Sequence, residues 1–256
     1  MKEAVRSFLR RCHMPALLAP DPAGAPDMTD VFCNPPEDGP RATNLLESQH
    51  FRVLGSRLPL AEGHVLIVPK DHIRVYGDIP LMWHKELESL IAIVRTFQRD
   101  AYGKESFARE QGSPPGSPGN RQSVRHAHFH LIPFAGSIPP MPEIPEAQQI
   151  QSFRDLAKYR LKDGYYHYIE VGGNRRVMPD DGSGVASAEW LLRGLIGNVW
   201  DPVKLQPTKF EGRRAMEMYS DLCSRWNRWI ETAPLDPAVL RRARVQTIHR
   251  DVTLVS

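Results

Sequence analysis

The stretch R-H-A-H-F-H-L-I-P, residues 125–133, spends three of the chain's ten histidines on alternate positions. On an extended strand, successive side chains point to opposite faces, so His126, His128 and His130 would stand in one row. On a helix the same spacing would swing each ring by about 200° from the last. Val124, Phe129, Leu131 and Ile132 suit a strand, and Pro133 suits its end. The spacing therefore predicts a strand carrying three imidazoles on one face.

Working outward, H-F-R-V-L-G-S-R-L (50–58) and G-H-V-L-I-V-P-K-D-H-I (63–73) are apolar or alternating runs joined by P-L-A-E-G. They read as two antiparallel strands. Pro80 opens a helical stretch in which Trp83, Leu87, Leu90, Ile91, Val94 and Phe97 recur every three or four residues. S-F-A-R-E (106–110) is strand-like, and Q-G-S-P-P-G-S-P-G-N-R-Q is a loop. Residues 1–28 read as an N-terminal arm and 135–148 as a proline-rich extended crossing. Beyond it, Q-S-F-R-D-L-A-K-Y-R-L suits a short helix and Y-Y-H-Y-I-E-V (165–171) a strand, with G-G-N as a turn. S-A-E-W-L-L-R-G-L-I-G suits a capped helix. A last helix puts Ala215, Met218, Leu222, Trp226 and Trp229 on one face.

The 256 residues fit one large domain, or a domain with a substantial extension. A net charge of +3 is too small to argue for nucleic-acid binding. Cys12, Cys33 and Cys223 are odd in number and lack a Cys-x-x-Cys spacing, which argues against a disulfide framework and against a structural zinc site. No apolar run approaches the ~18 residues of a membrane span, and a cytoplasmic setting is expected.

A row of three histidines has three readings: a solvated polar face, a metal site completed by a ligand from elsewhere, or catalysis on phosphorus. Neutral imidazole is a nucleophile near pH 7, and its neighbours can act as acids or charge stabilisers.

The G-H-V-L-I-V-P strand, followed by a helix, a loop and Q-S-V-R-H-A-H-F-H-L-I-P (122–133), resembles the histidine triad (HIT) superfamily, whose pattern is His-φ-His-φ-His-φ-φ with φ apolar. The resemblance covers about residues 30–135. It implies an α+β fold: an antiparallel sheet of about five strands with packed helices, here with a mainly helical C-terminal extension. The expected divisions are an arm at 1–28, a core at 29–138 and an extension at 139–256, packed on the core or on a partner subunit. It further implies that His128 attacks the α-phosphorus of a nucleoside 5′-phosphate derivative and holds the nucleotide covalently until water or another acceptor removes it. His126 and His130 would orient His128 and contact phosphate or leaving group, and His64 would reach the phosphates. Gln122 and Ser123 sit where the family binds phosphate. Ser56 stands where Asp or Asn commonly binds ribose, and Glu110 aligns with an Asn or Gln. His72 reads as a surface or helix-start residue. No cofactor and no metal ligand are expected. The expected partners are a nucleotide-type small molecule and a second copy in a homodimer, with neither membrane nor nucleic acid. The alternatives are a nucleotide-binding regulatory or interaction protein, a DNA-repair deadenylase and a His-ligated metalloenzyme.

Overall fold

The computed structural model describes residues 30–33, 44–56, 59–112, 126–134, 147–160, 165–180 and 209–233. The expected arm, the 187–197 helix, most of the proline-rich crossing, and Gln122 and Ser123 lie outside them.

Among the described residues eight strands form one sheet in the order β1-β2-β3-β5-β4-β7-β8-β6, every pairing antiparallel. They are β1 (Asn44–Glu47), β2 (Phe51–Gly55), β3 (Val65–Pro69), β4 (Ser106–Gly112), β5 (Phe129–Pro133), β6 (Gln148–Gln149), β7 (Tyr165–Val171) and β8 (Asn174–Asp180). The α-helices among the described residues are α1 (His84–Tyr102), the short α2 (Leu156–Arg160) and α3 (Lys209–Thr232). The count exceeds the expected five because the β7–β8 hairpin, with β6 paired to its outer strand, continues the core's own sheet along the edge of β4. Gly172 and Gly173 turn that hairpin with φ of 55° and 81°, a region open to glycine.

The main core lies on one face of the sheet. The expected apolar stripe of α1 packs there, with Leu87, Val94 and Phe97 fully buried. Gly103, at φ 63°, ends the helix and returns its N–H to the Arg99 carbonyl at 2.9 Å. Helix α3 lies against β2 and α1. Trp226 is fully buried with its ring 4.8 Å from that of Phe97, and Trp229 donates to Asp100 at 2.9 Å. Gly55 admits this helix, since a Cβ there would come within 2.6 Å of the Tyr219 ring. The hairpin is tied down by Glu170, whose carboxylate accepts from Arg95 of α1 at 2.7 Å, Arg175 of β8 at 3.2 Å and the Tyr168 hydroxyl at 2.7 Å.

Candidate functional site

Register decides which side chains meet on the face opposite the main core. His130 pairs with Leu66 on β3 and with Arg109 on β4. Paired residues share a face, so Arg109 stands beside His130. His64, two residues before Leu66, closes the other side, and its Nε2 lies 3.0 Å from His130 Nδ1. The rings of His128 and His130 are 4.9 Å apart. Ser56 donates its backbone N–H to the His64 carbonyl at 3.0 Å and so adjoins this group.

The hydrogen bonds fix the tautomers. His64 Nδ1 accepts the Leu60 N–H at 3.1 Å, so Nε2 carries the proton and donates to His130 Nδ1. His130 then keeps its own proton on Nε2. His128 Nδ1 lies 2.8 Å from the His126 carbonyl, an acceptor only, so Nδ1 is the donor. The Nε2 lone pair of His128 is left for attack. Burial pushes His64 down to about 3, with Arg109 and His128 adding to the effect. Burial first, then His128, His64 and Arg109, holds His130 well below its ordinary value. Burial lowers His128 as well, and the Arg109 charge adds to this against the bond to the His126 carbonyl. All three rings are neutral at pH 7.

Two expected positions differ. The triad is not one straight row, because β5 begins only at Phe129. Ala127 donates its N–H to the Ile73 carbonyl at 2.6 Å, and the fully buried His126 turns away from His128 and His130. His126 Nε2 donates to the Pro69 carbonyl at 2.8 Å, while Nδ1 faces Asp30 at 2.9 Å. It serves His128 through its backbone carbonyl instead of its ring. Glu110 is likewise not at the triad. It follows Arg109 on β4 and points into the main core, where it bonds the Tyr166 hydroxyl and accepts the Tyr76 N–H at 3.4 Å. Arg109, which the sequence reading passed over, stands at the triad in its place.

His72 is no surface residue. It is buried in a cluster with Asp30, Cys33 and His126, whose donor atoms all lie within 4.8 Å of one another. Cys33 Sγ is 3.1 Å from His72 Nδ1 and 3.6 Å from His126 Nδ1, and Asp30 Oδ2 is 3.3 Å from His72 Nδ1. A tetrahedral zinc with bonds of about 2.0–2.3 Å would set these donors about 3.3–3.8 Å apart, so the Cys33–His72 pair at 3.1 Å and the Asp30–His126 pair at 2.9 Å would open slightly to hold one. These four residues could hold a metal ion where no metal ligand is expected from the sequence. Asp-x-x-Cys (30–33) takes the place of the absent Cys-x-x-Cys, and the ligands come from beside the triad and not from its three rings. A closed four-ligand set suits a structural role. The ion would neutralise Asp30 and Cys33 and hold the His126 carbonyl against His128. Elemental analysis of the purified protein is expected to find about one zinc per chain, and under about a fifth of that in Cys33→Ala/His72→Ala. Equal metal in both proteins would remove the assignment.

The buried histidines and Glu110 respond oppositely to pH. An unfolded histidine takes up its proton near pH 6.5, whereas folded His64 resists it to about 3, so stability is lost as pH falls below 6.5. That loss is roughly 2 kcal/mol for His64 alone between pH 7 and 5. Burial raises Glu110 to about 8, so it favours folding below the unfolded carboxyl value and loses that advantage as pH rises through 8. Over pH 5–7 Glu110 offsets only part of the loss from the histidines, because burial holds His128 and His130 down as well. Glu110→Gln removes that offset. Its melting temperature is expected to exceed wild type by a margin that grows from pH 5 to 8, and to fall more steeply than wild type on acidification from pH 7 to 5. A margin independent of pH would contradict the neutral carboxyl.

The HIT domain family model matches residues 40–136. A HIT-like protein of Methanocaldococcus jannaschii is 25% identical over 107 residues, covering 40% of this chain and 77% of its own. The crystal structure of a histidine triad protein from Clostridium difficile is 27% identical, with 46% of this chain and 98% of that one covered and a TM-score of 0.32. An uncharacterized HIT-like protein of Chlamydia muridarum is 31% identical over 108 residues, covering 41% of this chain and 81% of its own. With the triad, the paired His64 and the domain match on the same residues, the chain belongs to the HIT family.

Proposed function

We propose that this protein is a nucleotide-processing enzyme of the histidine triad type, acting at the α-phosphorus of a nucleoside 5′-phosphate derivative. The observation that carries the reading is the His128 Nδ1–H bond to the His126 carbonyl at 2.8 Å, which leaves the Nε2 lone pair as nucleophile. Nε2 attacks phosphorus, the P–N bond forms, and the bond to the leaving group breaks. His130, neutral and protonated on Nε2, donates to a phosphate or leaving-group oxygen as charge builds there. Its orientation comes from His64, and that of His64 from the Leu60 N–H. Water or another acceptor then attacks the nucleotidyl-histidine and returns His128 to its starting form.

Residues 29–138 would be the catalytic core, and the extension at 139–256 would complete its sheet through β7 and β8. A cytoplasmic setting and a homodimer belong to the same proposal. Among the described residues no helix is long and apolar enough to cross a membrane.

The test is hydrolysis of a dinucleoside polyphosphate in water enriched in oxygen-18, with products separated and weighed. The label is expected in the phosphate of the released nucleoside monophosphate. Label found only in the other product, or no monophosphate release from any nucleotide donor offered, would overturn the reading.

A further inference from the structure

Two rings lie against that of His128. His130, at 4.9 Å, is fixed by β5 and by its bond to His64. Phe32, at 5.6 Å and tilted by 44°, also stands edge-on to His126 at 5.6 Å. Phe32 belongs to a turn, residues 30–33, outside the sheet. No strand ladder places its ring beside the nucleophile, so other contacts must do so.

Asp30 ties one end of the turn to His126 at 2.9 Å and accepts the Phe32 N–H at 2.8 Å. At Phe32 itself, Arg52 of β2 donates from Nη1 to the Phe32 carbonyl at 2.8 Å. Register puts Arg52 on the triad face: Leu54, two residues on, pairs with Leu66, and Leu66 pairs with His130. Arg52 itself pairs with Val68 of β3, so the turn reaches from β2 across β3 to the triad. The guanidinium also faces Glu47, 3.5 Å from Nε, with both side chains partly exposed. An exposed ion pair of that kind contributes little, whereas a charged donor on a partly buried carbonyl makes a strong bond.

We propose that Arg52 is a positioning residue for the reaction: by holding the Phe32 carbonyl it seats the Phe32 ring against His128 and keeps the His128 Nε2 aimed at phosphorus. The role rests on the nucleotidyl reading above and belongs to its attack step. The bond from His128 Nδ1 to the carbonyl two residues back fixes the tautomer but leaves the ring free to tilt about it. Attack needs the lone pair in line with phosphorus, and a misplacement of about 1 Å can cost about 100-fold in rate. A loosened Phe32 therefore lowers kcat and leaves ground-state binding nearly untouched.

Steady-state kinetics on a dinucleoside polyphosphate, beside hydrogen exchange of the turn amides, test this. Arg52→Gln is expected to lower kcat about tenfold with KM within about threefold of wild type. Arg52→Lys keeps one charged donor and should recover most of the loss. Phe32→Ala should lower kcat by a similar factor. Arg52→Gln/Phe32→Ala should fall no more than about twofold further, because the arginine acts through the ring. Glu47→Gln breaks the ion pair, spares the carbonyl bond and should leave kcat within about twofold of wild type. Exchange at residues 31–33 should quicken in Arg52→Gln and not in Glu47→Gln, whatever the turnover. Arg52→Met, which keeps the apolar stem, carries the same test if the glutamine variant does not fold. Losses that multiply in the double variant, equal damage from Glu47→Gln, or unchanged kcat or exchange in Arg52→Gln would overturn the role of Arg52 and leave the nucleotidyl reading standing. A wild type that turns over no nucleotide donor would overturn both.

Discussion

Replacing His128 by alanine is expected to lower nucleotide turnover by about 10⁴-fold or more, because a covalent route loses its nucleophile outright. Among the described residues nothing else at the site can take its place. His130 Nδ1 is occupied by the His64 proton, and its Nε2 carries a proton instead of a lone pair. The His126 ring faces Asp30 and Pro69. The same change is expected to move the melting temperature little, since the His128 ring is only partly buried and makes one bond to a backbone carbonyl. His126→Ala should behave differently. It removes a fully buried ring bonded at both nitrogens, so loss of activity should come with loss of stability. Rates in a discontinuous product assay, beside thermal melts of both variants, separate the two cases. Turnover by His128→Ala within about tenfold of wild type would mean that another group attacks phosphorus.

Glu170→Ala is expected to be the most damaging single change to the fold, at about 3–5 kcal/mol. The carboxylate is 2% exposed, and against the effect of burial Arg95, the Tyr168 hydroxyl and Arg175 hold it below its ordinary value. Removing it leaves two guanidinium groups and the Tyr168 hydroxyl facing one another without their acceptor. The damage should centre on the β7–β8 hairpin, because Glu170 is what ties that hairpin to α1. Denaturant unfolding measures the loss, and amide exchange locates it. Exchange that accelerates in β1–β3 as much as in β7–β8 would show that the network does not act locally. Glu170→Gln should cost less, because the amide oxygen still accepts one bond.

Much of the site was legible in the sequence because it rests on local chemistry. Alternate histidines ending at a proline mark β5, and the Gly-His-φφφφ-Pro run marks β3; pairing those strands brings His64 to His130. The α1 stripe was legible for the same reason, as a periodic pattern with a glycine stop. What escaped depends on contacts between distant segments. The face taken by β4 could not be read from S-F-A-R-E-Q-G, because a slip of one residue exchanges Arg109 for Glu110 and only pairing with β5 sets the register. The turning of His126 depends on the Ile73 carbonyl and on Asp30, 53 and 96 positions away in the chain. Asp30 carries no sulfur-pair signal, because no Cys-x-x-Cys spacing marks this cluster. The usable signal was Asp-x-x-Cys at 30–33 together with a second histidine, His72, eight residues after His64. The β7–β8 hairpin was legible as two strands and a turn, but its place on the edge of β4 was not.

The covalent nucleotide on His128 is the claim on which the rest depends, and intact-protein mass spectrometry after a rapid quench at neutral to alkaline pH measures it directly. Wild type mixed with a dinucleoside polyphosphate is expected to gain the mass of one nucleoside monophosphate residue. The gain should be absent in His128→Ala and should decay as free nucleotide appears. A wild-type protein that turns the donor over with no such adduct at any time, or an adduct that survives in His128→Ala, would contradict the account.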